Sequence, residues 1–447
     1  MKNEIRAANL LEEVSGQVDG AELYQLRSLE LPVRFAFGKL ESVQSVETAG
    51  RALRLIKDGR LGFSTTTDLA DDTTLVRNAL ESAQFGDPAP FEFPVKQPTE
   101  PVACFDREVE QLDENALIAL GEEIVEEIKS YDAQLQTDVV IYRSIQEVQL
   151  LNTSGLDIQD RRTGLAISVE VTRAREGDIV IIYDSASSHR RQDVDGLALA
   201  RGIVERFQWA EKTVKVGSKP MPVVFHRLGA AVPLLPLMSG LNGRQVFLGA
   251  SPLAEKLEQQ VLDERFTLVD DGRLDFASRS APYDDEGVPT TRKSLIEGGV
   301  VRQFLYDLKT AGLAGAQPTG NGFKSGLRGG GFQRPPDVAP STWLVPPGER
   351  SLEEILSGLD EALLVEQVIG LGQGNVMAGE FSNNVSVGFL VHNGEIAGRV
   401  KNTMIAGNVY ELLKDQLLAL SDRPAWVFGL LHVPAIAVDG VSVASRG

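Results

Sequence analysis

Three observations predict an α+β fold of two domains, built mainly from antiparallel sheets with packed helices. Hairpin signals outnumber strand–helix–strand units in both halves, which argues against a doubly wound parallel sheet. The 447 residues suffice for roughly two to three domains at about 150 residues each. Near the middle, Val216-Gly217-Ser218-Lys219-Pro220-Met221-Pro222 interrupts all periodicity and reads as a linker, dividing the chain into domains 1–216 and 217–447.

In the first domain, residues 31–66 alternate like strands, and Asp58-Gly59 between two apolar runs predicts a tight hairpin. A helix is predicted over about 69–84, with Leu75, Ala79 and Ala83 on one face. Another follows over about 113–131, where Leu117, Leu120, Ile124 and Ile128 recur behind Asp113 as N-cap. Residues 137–185 read as a meander with turns at 152–155 and 176–178. A helix near 194–209 is expected to turn Leu197, Val204 and Phe207 inward.

The second domain opens with the strand Val223-Val224-Phe225. Gly298-Gly299 and Asn393-Gly394 each join strand-like runs, and Ser351-Leu352-Glu353-Glu354 is a capping box opening a helix of about two turns. Residues 316–340 are rich in glycine and proline and read as a long loop, of the kind that is usually functional.

Composition narrows the function classes. Lys plus Arg is 44 against 63 Asp plus Glu, a net charge of -19, which disfavours direct nucleic-acid binding. No signal peptide is visible at Met1-Lys2-Asn3-Glu4, and the longest apolar stretch, Leu228 to Met238, is too short to span a membrane, so a cytoplasmic protein is expected. One cysteine, Cys104, excludes a disulfide framework within the chain and reads as structural. The four histidines, His189, His226, His392 and His432, lie far apart, and no H-E-x-x-H motif occurs. His392 reads as a solvated hairpin residue.

Other motifs fall short of their chemistry. Gly320-Asn321-Gly322-Phe323-Lys324-Ser325 has Phe323 where a phosphate loop needs glycine. Gly370-Leu371-Gly372-Gln373-Gly374-Asn375 lacks the third glycine of a dinucleotide fingerprint, and a strand follows it. The 322–334 loop, with Lys324, Arg328 and Phe332, is an acid-free basic patch that reads as a peptide- or partner-contacting segment. Asp270-Asp271 and Asp284-Asp285-Glu286 are acidic clusters, expected as solvated turns or a cation site.

Several blocks in the second half carry a family resemblance. Pro282-Tyr283-Asp284-Asp285-Glu286-Gly287-Val288-Pro289-Thr290 resembles the P-[FY]-D-x-E-G-V-x-T segment of the TldD/PmbA family, also called modulators of DNA gyrase. Gly372-Gln373-Gly374-Asn375, Gly379-Glu380-Phe381-Ser382, Gly388 through Ile396 and Thr403 through Asn408 resemble its C-terminal signature in order and spacing. With Glu41 to Val46 and Ser64 to Asp68, the resemblance covers nearly the whole chain. The sequence departs from the family at Asn383-Asn384, where relatives often carry a basic and a small residue.

The resemblance implies a two-subunit cytosolic metalloprotease acting on unfolded or small peptides. In that family the TldD-type subunit holds zinc with H-E-x-x-x-H and a later cysteine, and the PmbA-type (TldE) subunit lacks these ligands. Here Leu234, Leu235 and Ser239 stand at the motif positions, and no cysteine lies beyond Cys104. The chain therefore resembles the PmbA-type subunit, with no cofactor or metal of its own, zinc in a TldD-type catalytic partner, and no direct nucleic-acid or membrane contact. Lys324, Arg328, Phe332, Gly372, Gly374, Asn375 and Ser382 are the candidate peptide- or partner-contacting residues. Two alternatives stand beside it: a protein-binding modulator of a DNA-handling enzyme such as gyrase, and a self-contained homodimeric hydrolase with a metal site around Asp284–Glu286.

Overall fold

The computed structural model describes residues 2–175, 177–324 and 331–445. Helix α1 (Lys2–Ser15) leads into the strands β1 (Gly20–Ala36), β2 (Lys39–Val43), β3 (Val46–Lys57) and β4 (Arg60–Thr66). Asp58 and Gly59 both take positive φ, +51° and +69°, the geometry a two-residue hairpin needs to match strand twist. Then come α2 (Asp72–Ala83), α3 (Arg107–Gln111), α4 (Glu114–Tyr131) and the meander β5 (Gln136–Asn152), β6 (Asp157–Arg175) and β7 (Asp178–Ser188), closed by α5 (Gly196–Trp209). Asp113 caps α4 through the Ala116 N–H, as its position in the sequence predicts. All seven strands form one antiparallel sheet, ordered β4-β3-β1-β5-β6-β7 with β2 beside β1.

Period-two alternation gives this sheet two different faces. Ala21, Leu23, Leu53 and Leu55 pack under α1 and α2 with Leu75, Ala79 and Ala83. Tyr24, Ala52, Val148 and Leu150 point the other way, into a cluster completed by Phe332 from the second half of the chain. On α5 the buried face is Ala200, Ile203 and Phe207. Phe207 is inward as expected, whereas Leu197 and Val204 are only half-buried, because they flank the Gly196–Ala200–Ile203–Phe207 stripe that faces the core.

The second half begins with β8 (Thr213–Val214) and β9 (Lys219–Phe225), then α6 (Ala231–Gly240), α7 (Gly243–Phe247), β10 (Leu268–Asp271), β11 (Arg292–Glu297), β12 (Val300–Val301) and α8 (Leu308–Ala314). It continues through β13 (Gly322–Phe323), β14 (Asp337–Val338), β15 (Trp343–Leu344), α9 (Leu352–Ser357), β16 (Glu361–Ile369), β17 (Glu380–His392), β18 (Glu395–Val400) and β19 (Thr403–Asn408). The last elements are α10 (Val409–Asp415), β20 (Leu417–Leu420), β21 (Ala425–Val427), β22 (Leu431–Val433) and β23 (Ile436–Ser445). The Ser351–Glu354 capping box opens α9 as expected.

Strands β16, β9, β23, β19 and β17 pair in sequence, and β17 pairs back onto β16, closing a ring. The expected linker is thus partly strand. From Lys219 the chain enters the ring, and the two prolines are tolerated because β16 pairs only with Val223–Phe225. Pro220 therefore has β23 as its one neighbour, and Pro222 sits at the register irregularity of the β9–β23 pairing, with no partner of its own. The expected 316–340 loop likewise holds a paired segment, β13 with β14. Among the described residues no helix is long and apolar enough to cross a membrane.

The ring is buried on both faces. Val223, Phe225, Leu363 and Val365 pack toward α6, while Val224, Leu364, Val387 and Phe389 share a core with α4, α5 and β5–β7. Runs such as Leu363-Leu364-Val365 are therefore apolar without alternation. Phe389 meets Trp209 edge to face at 5.4 Å across the boundary between the halves. Truncating it as F389A should cost about 3–5 kcal/mol. Because the core is shared, both halves should lose structure in one coincident denaturant transition. Two separated transitions, with only one displaced by the substitution, would contradict a common core.

Candidate functional site

A cross-strand row on the first sheet supplies the starting point. Glu22 on β1 lies opposite Arg54 on β3, and Arg54 lies opposite Phe63 on β4. Arg54 donates to Glu22 Oε2 at 2.9 Å and to Glu286 Oε1, from the second half, at 2.5 Å. The rings of Phe91 and Phe93 flank its guanidinium at 5.6 and 5.2 Å. Burial opposes the charge on Arg54, but the two carboxylates more than offset it and raise its pKa.

The acidic family motif is neither a solvated turn nor an open cation site. Asp284 and Glu286 are 4% and 0% exposed, and internal donors take up their oxygens. Asp284 accepts from the backbone N–H groups of Glu286, Val288 and Gly322 at 2.9–3.0 Å. Glu286 Oε2 accepts from the Leu308 N–H at 2.7 Å, satisfying the first turn of α8. A Cβ on Gly322 would stand 2.2 Å from that oxygen, which explains the glycine. Asp285 Oδ2 accepts from the Lys324 N–H at 2.8 Å. Asp270 is committed in the same way to Lys293, Asn321 and the Ser341 N–H.

Above this knot lies a cleft of about 550 Å³ between the β3–β4 edge and the second half. Its walls come from α6 (Leu235, Met238, Ser239), α8 with its cap (Thr310 and Leu313, capped by Asp307), the segment Arg334–Pro340, and Met377. Lys324 belongs to the lining, yet is only 2% exposed as a residue. Its ammonium sits 4.9 Å from the Tyr24 ring centroid and 5.4 Å from that of Phe63. Burial pushes its pKa down to about 8. Burial, followed by the nearby Glu286, pushes Asp307 up to about 6.

The other sequence candidates take different places. Phe332 is internal: it fills the space over Gly50, where a Cβ would approach its ring to 2.0 Å, and so fastens its segment to the first sheet. Arg328 lies outside the described residues. Gly372 and Gly374 adopt φ of +90° and +101°, and a Cβ added at Gly372 would come into contact with Leu235 of α6 at 3.4 Å. Asn375 caps the turn that carries Met377 into the cleft, accepting from the Ala378 N–H at 3.3 Å. Ser382 N–H donates to the Gln373 carbonyl at 3.4 Å and does not line the cleft. Asn383, at the departure from the family pattern, donates to the Gly370 carbonyl at 2.6 Å and anchors this loop. Sequence reasoning passed over Arg54, Met238, Asp307 and Arg244, which no local motif marks.

None of the four histidines lines the cleft. Burial pushes His189 down to about 4, and its Nδ1 meets the Thr163 carbonyl. His226 Nδ1 lies 2.5 Å from Glu366, His392 is exposed at the end of β17, and His432 stacks beside Trp426. Cys104 is buried and donates to the Ser280 carbonyl, and burial pushes its thiol up to about 12. Among the described residues, no group of three or more His, Cys, Asp or Glu is placed to hold a metal ion.

Two predictions follow from these buried charges. R54M strands Glu22 and Glu286 and should cost about 3–5 kcal/mol at pH 7. The deficit should narrow toward pH 5: burial raises the Glu286 pKa and Arg54 holds it down, so without Arg54 it rises further, and the variant loses more stability than the unaltered chain as pH rises. Urea melts at both pH values check this, and an equal deficit at both would refute it. For Lys324, which faces Glu22, Arg54, Asp285, Glu286 and Tyr24, the sign is opposite. Between about 8 and 10.5 the unfolded chain keeps a proton that the folded chain has released, so stability gains up to ~3 kcal/mol with rising pH. The K324M variant should lack that gain in urea melts at pH 8 and 10, and an unchanged gain would refute the assignment.

Comparison with known proteins places the architecture. Residues 218–445 match the profile of the PmbA/TldA metallopeptidase C-terminal domain, 107–215 the central domain and 21–83 domain 1. An uncharacterized protein of Methanocaldococcus jannaschii is 26% identical over 90% of this chain and 92% of its own. Metalloprotease PmbA of Escherichia coli is 24% identical over 91% of this chain and 88% of its own. The crystal structure of TldE from Thermococcus kodakarensis superposes with a TM-score of 0.88 at 24% identity, covering 98% of this chain and 100% of that one. With all three profiles matched in order, the chain belongs to the PmbA/TldD family of metallopeptidases.

Proposed function

We propose that this chain is the non-catalytic subunit of a cytosolic zinc peptidase for unfolded or small peptides, paired with a TldD-type subunit. One observation carries the reading. Where the family's ligand helix would present imidazoles and a carboxylate, α6 offers Leu235, Met238 and Ser239 to the cleft, none of them an ordinary zinc ligand, and Leu234 is buried in the core. Of the cleft's three acids, Asp87 pairs with Lys309, Asp307 caps α8, and Asp337 accepts from the Val338 N–H, and they do not form a ligand cluster among the described residues. The residues present do not fit a zinc site, so no chemical step is assigned to them.

What this chain contributes is a shaped wall. Leu235, Met238, Leu313 and Met377 give it apolar area, and the β13–β14 pair brings the backbone of residues 337–339 alongside. An extended peptide is suited to such a surface, with main-chain contacts for affinity and apolar pockets for side chains. The partner would hold the metal and the activated water.

The purified chain alone should contain substoichiometric zinc and leave an unstructured peptide uncut. Co-expression with an H-E-x-x-x-H homologue should yield an equimolar complex that binds zinc and hydrolyses the same peptide. Stoichiometric zinc and hydrolysis by the chain alone would overturn the subunit assignment.

A further inference from the structure

The cleft carries a charge pattern unlike the rest of the molecule. The chain has a net charge of -19, yet the lining of this one cavity holds five cations, Arg54, Arg244, Lys309, Lys324 and Arg334, against three acids, Asp87, Asp307 and Asp337. Arg54 and Lys309 are neutralised by Glu22, Glu286 and Asp87. Arg244, Lys324 and Arg334 form no ion pair among the described residues, and Arg244 and Arg334 are exposed at the rim.

Lys324 is the unusual member. An ammonium has three N–H donors, and burying one without acceptors is costly. Among the described residues the only hydrogen bond of the Lys324 ammonium is to the Arg334 carbonyl, at a long 3.4 Å. The rings of Tyr24 and Phe63 stabilise the charge from their faces but accept no ordinary hydrogen bond. No carboxylate hydrogen-bonds its ammonium: Glu286 is held by Arg54 and the Leu308 N–H, Asp285 Oδ2 by the Lys324 backbone, and Glu22 gives Oε2 to Arg54 while its Oε1 is left without a partner. The side chain is thus over nine-tenths buried, in the lining of the cavity, and short of acceptors.

We infer that Lys324 receives a carboxylate of the bound peptide, with Arg334 and Arg244 drawing it in from the rim. Two sources share that chemistry: the peptide's C-terminus and an Asp or Glu side chain. A charge-assisted hydrogen bond in such a buried place is shorter and stronger than a neutral one, and it would supply the acceptor that Lys324 lacks. This inference rests on the peptide-cleft reading and adds the ligand chemistry to it.

The test uses the full-length chain and three fluorescent versions of one unstructured peptide, compared by anisotropy. One has a free C-terminus, one a C-terminal amide, and one an amide with an internal Asp. The free-acid or the Asp peptide should bind at least about tenfold more tightly than the plain amide, and which of the two does so identifies the source. In K324M that ratio should fall to about one, and R334Q, at the exposed rim, should reduce it several-fold without threatening the core. If all three peptides bind equally to the unaltered chain, or K324M keeps the preference, the carboxylate assignment is wrong while the cleft stands. If none binds to the chain or to its complex with the partner, the cleft reading itself fails.

Discussion

The pairing of Arg54 with Glu22 and Glu286 is the interaction on which the rest of the site depends. Desolvating three charges is expensive, and a buried ion pair of this kind contributes little to net stability compared with a well-packed apolar core. Its effect is positional. Glu22 and Arg54 belong to the first sheet and Glu286 to the second half, so the pair fixes how one half sits on the other. The second oxygen of Glu286 then holds the start of α8, and the neighbouring Asp285 holds Lys324 by its backbone. One wall of the cleft and its buried cation both hang from Arg54.

Strand alternation makes this arrangement available. On β1 and β3 one set of positions is covered by α1 and α2, and the opposite set, including Glu22, Tyr24, Ala52 and Arg54, is left for the second half to cover. Gly50 and Phe332 fit together on that side, ring over bare backbone. A one-residue slip of β3 would send Arg54 to the helix side and dismantle both contacts.

Much of the fold was legible in the sequence, and for identifiable reasons. Asp58-Gly59, Gly298-Gly299 and Asn393-Gly394 encode hairpins locally, because only residues tolerant of positive φ serve there. Asp113 and the Ser351–Glu354 box encode helix starts by the hydrogen bonds that they make. Where the outcome depends on a distant partner, the sequence misleads. Pro220 and Pro222 look like a linker until β23 pairs with Pro220 on one side only and an irregularity in that pairing accommodates Pro222. Asp284-Asp285-Glu286 looks solvated until Arg54, more than 200 residues away, and the backbone of Gly322 and Leu308 bury it. The Lys324 candidate was visible as a charge in a glycine-rich loop. Its burial between Tyr24 and Phe63 was not, because no local pattern encodes that contact.

The chain has the PmbA/TldD metallopeptidase fold, and α6 offers Leu235, Met238 and Ser239 to the cleft; both support the proposed reading of this chain as half of a shared cleft. The most direct measurement places a photo-reactive side chain at Ser239, on that wall, in the assembled complex with an H-E-x-x-x-H partner. The account predicts light-dependent capture of an unstructured peptide at this position, competed by excess unlabelled peptide. A complex that cleaves the peptide at full rate, yet captures none at Ser239 and captures it instead on a surface remote from α6, would contradict the account.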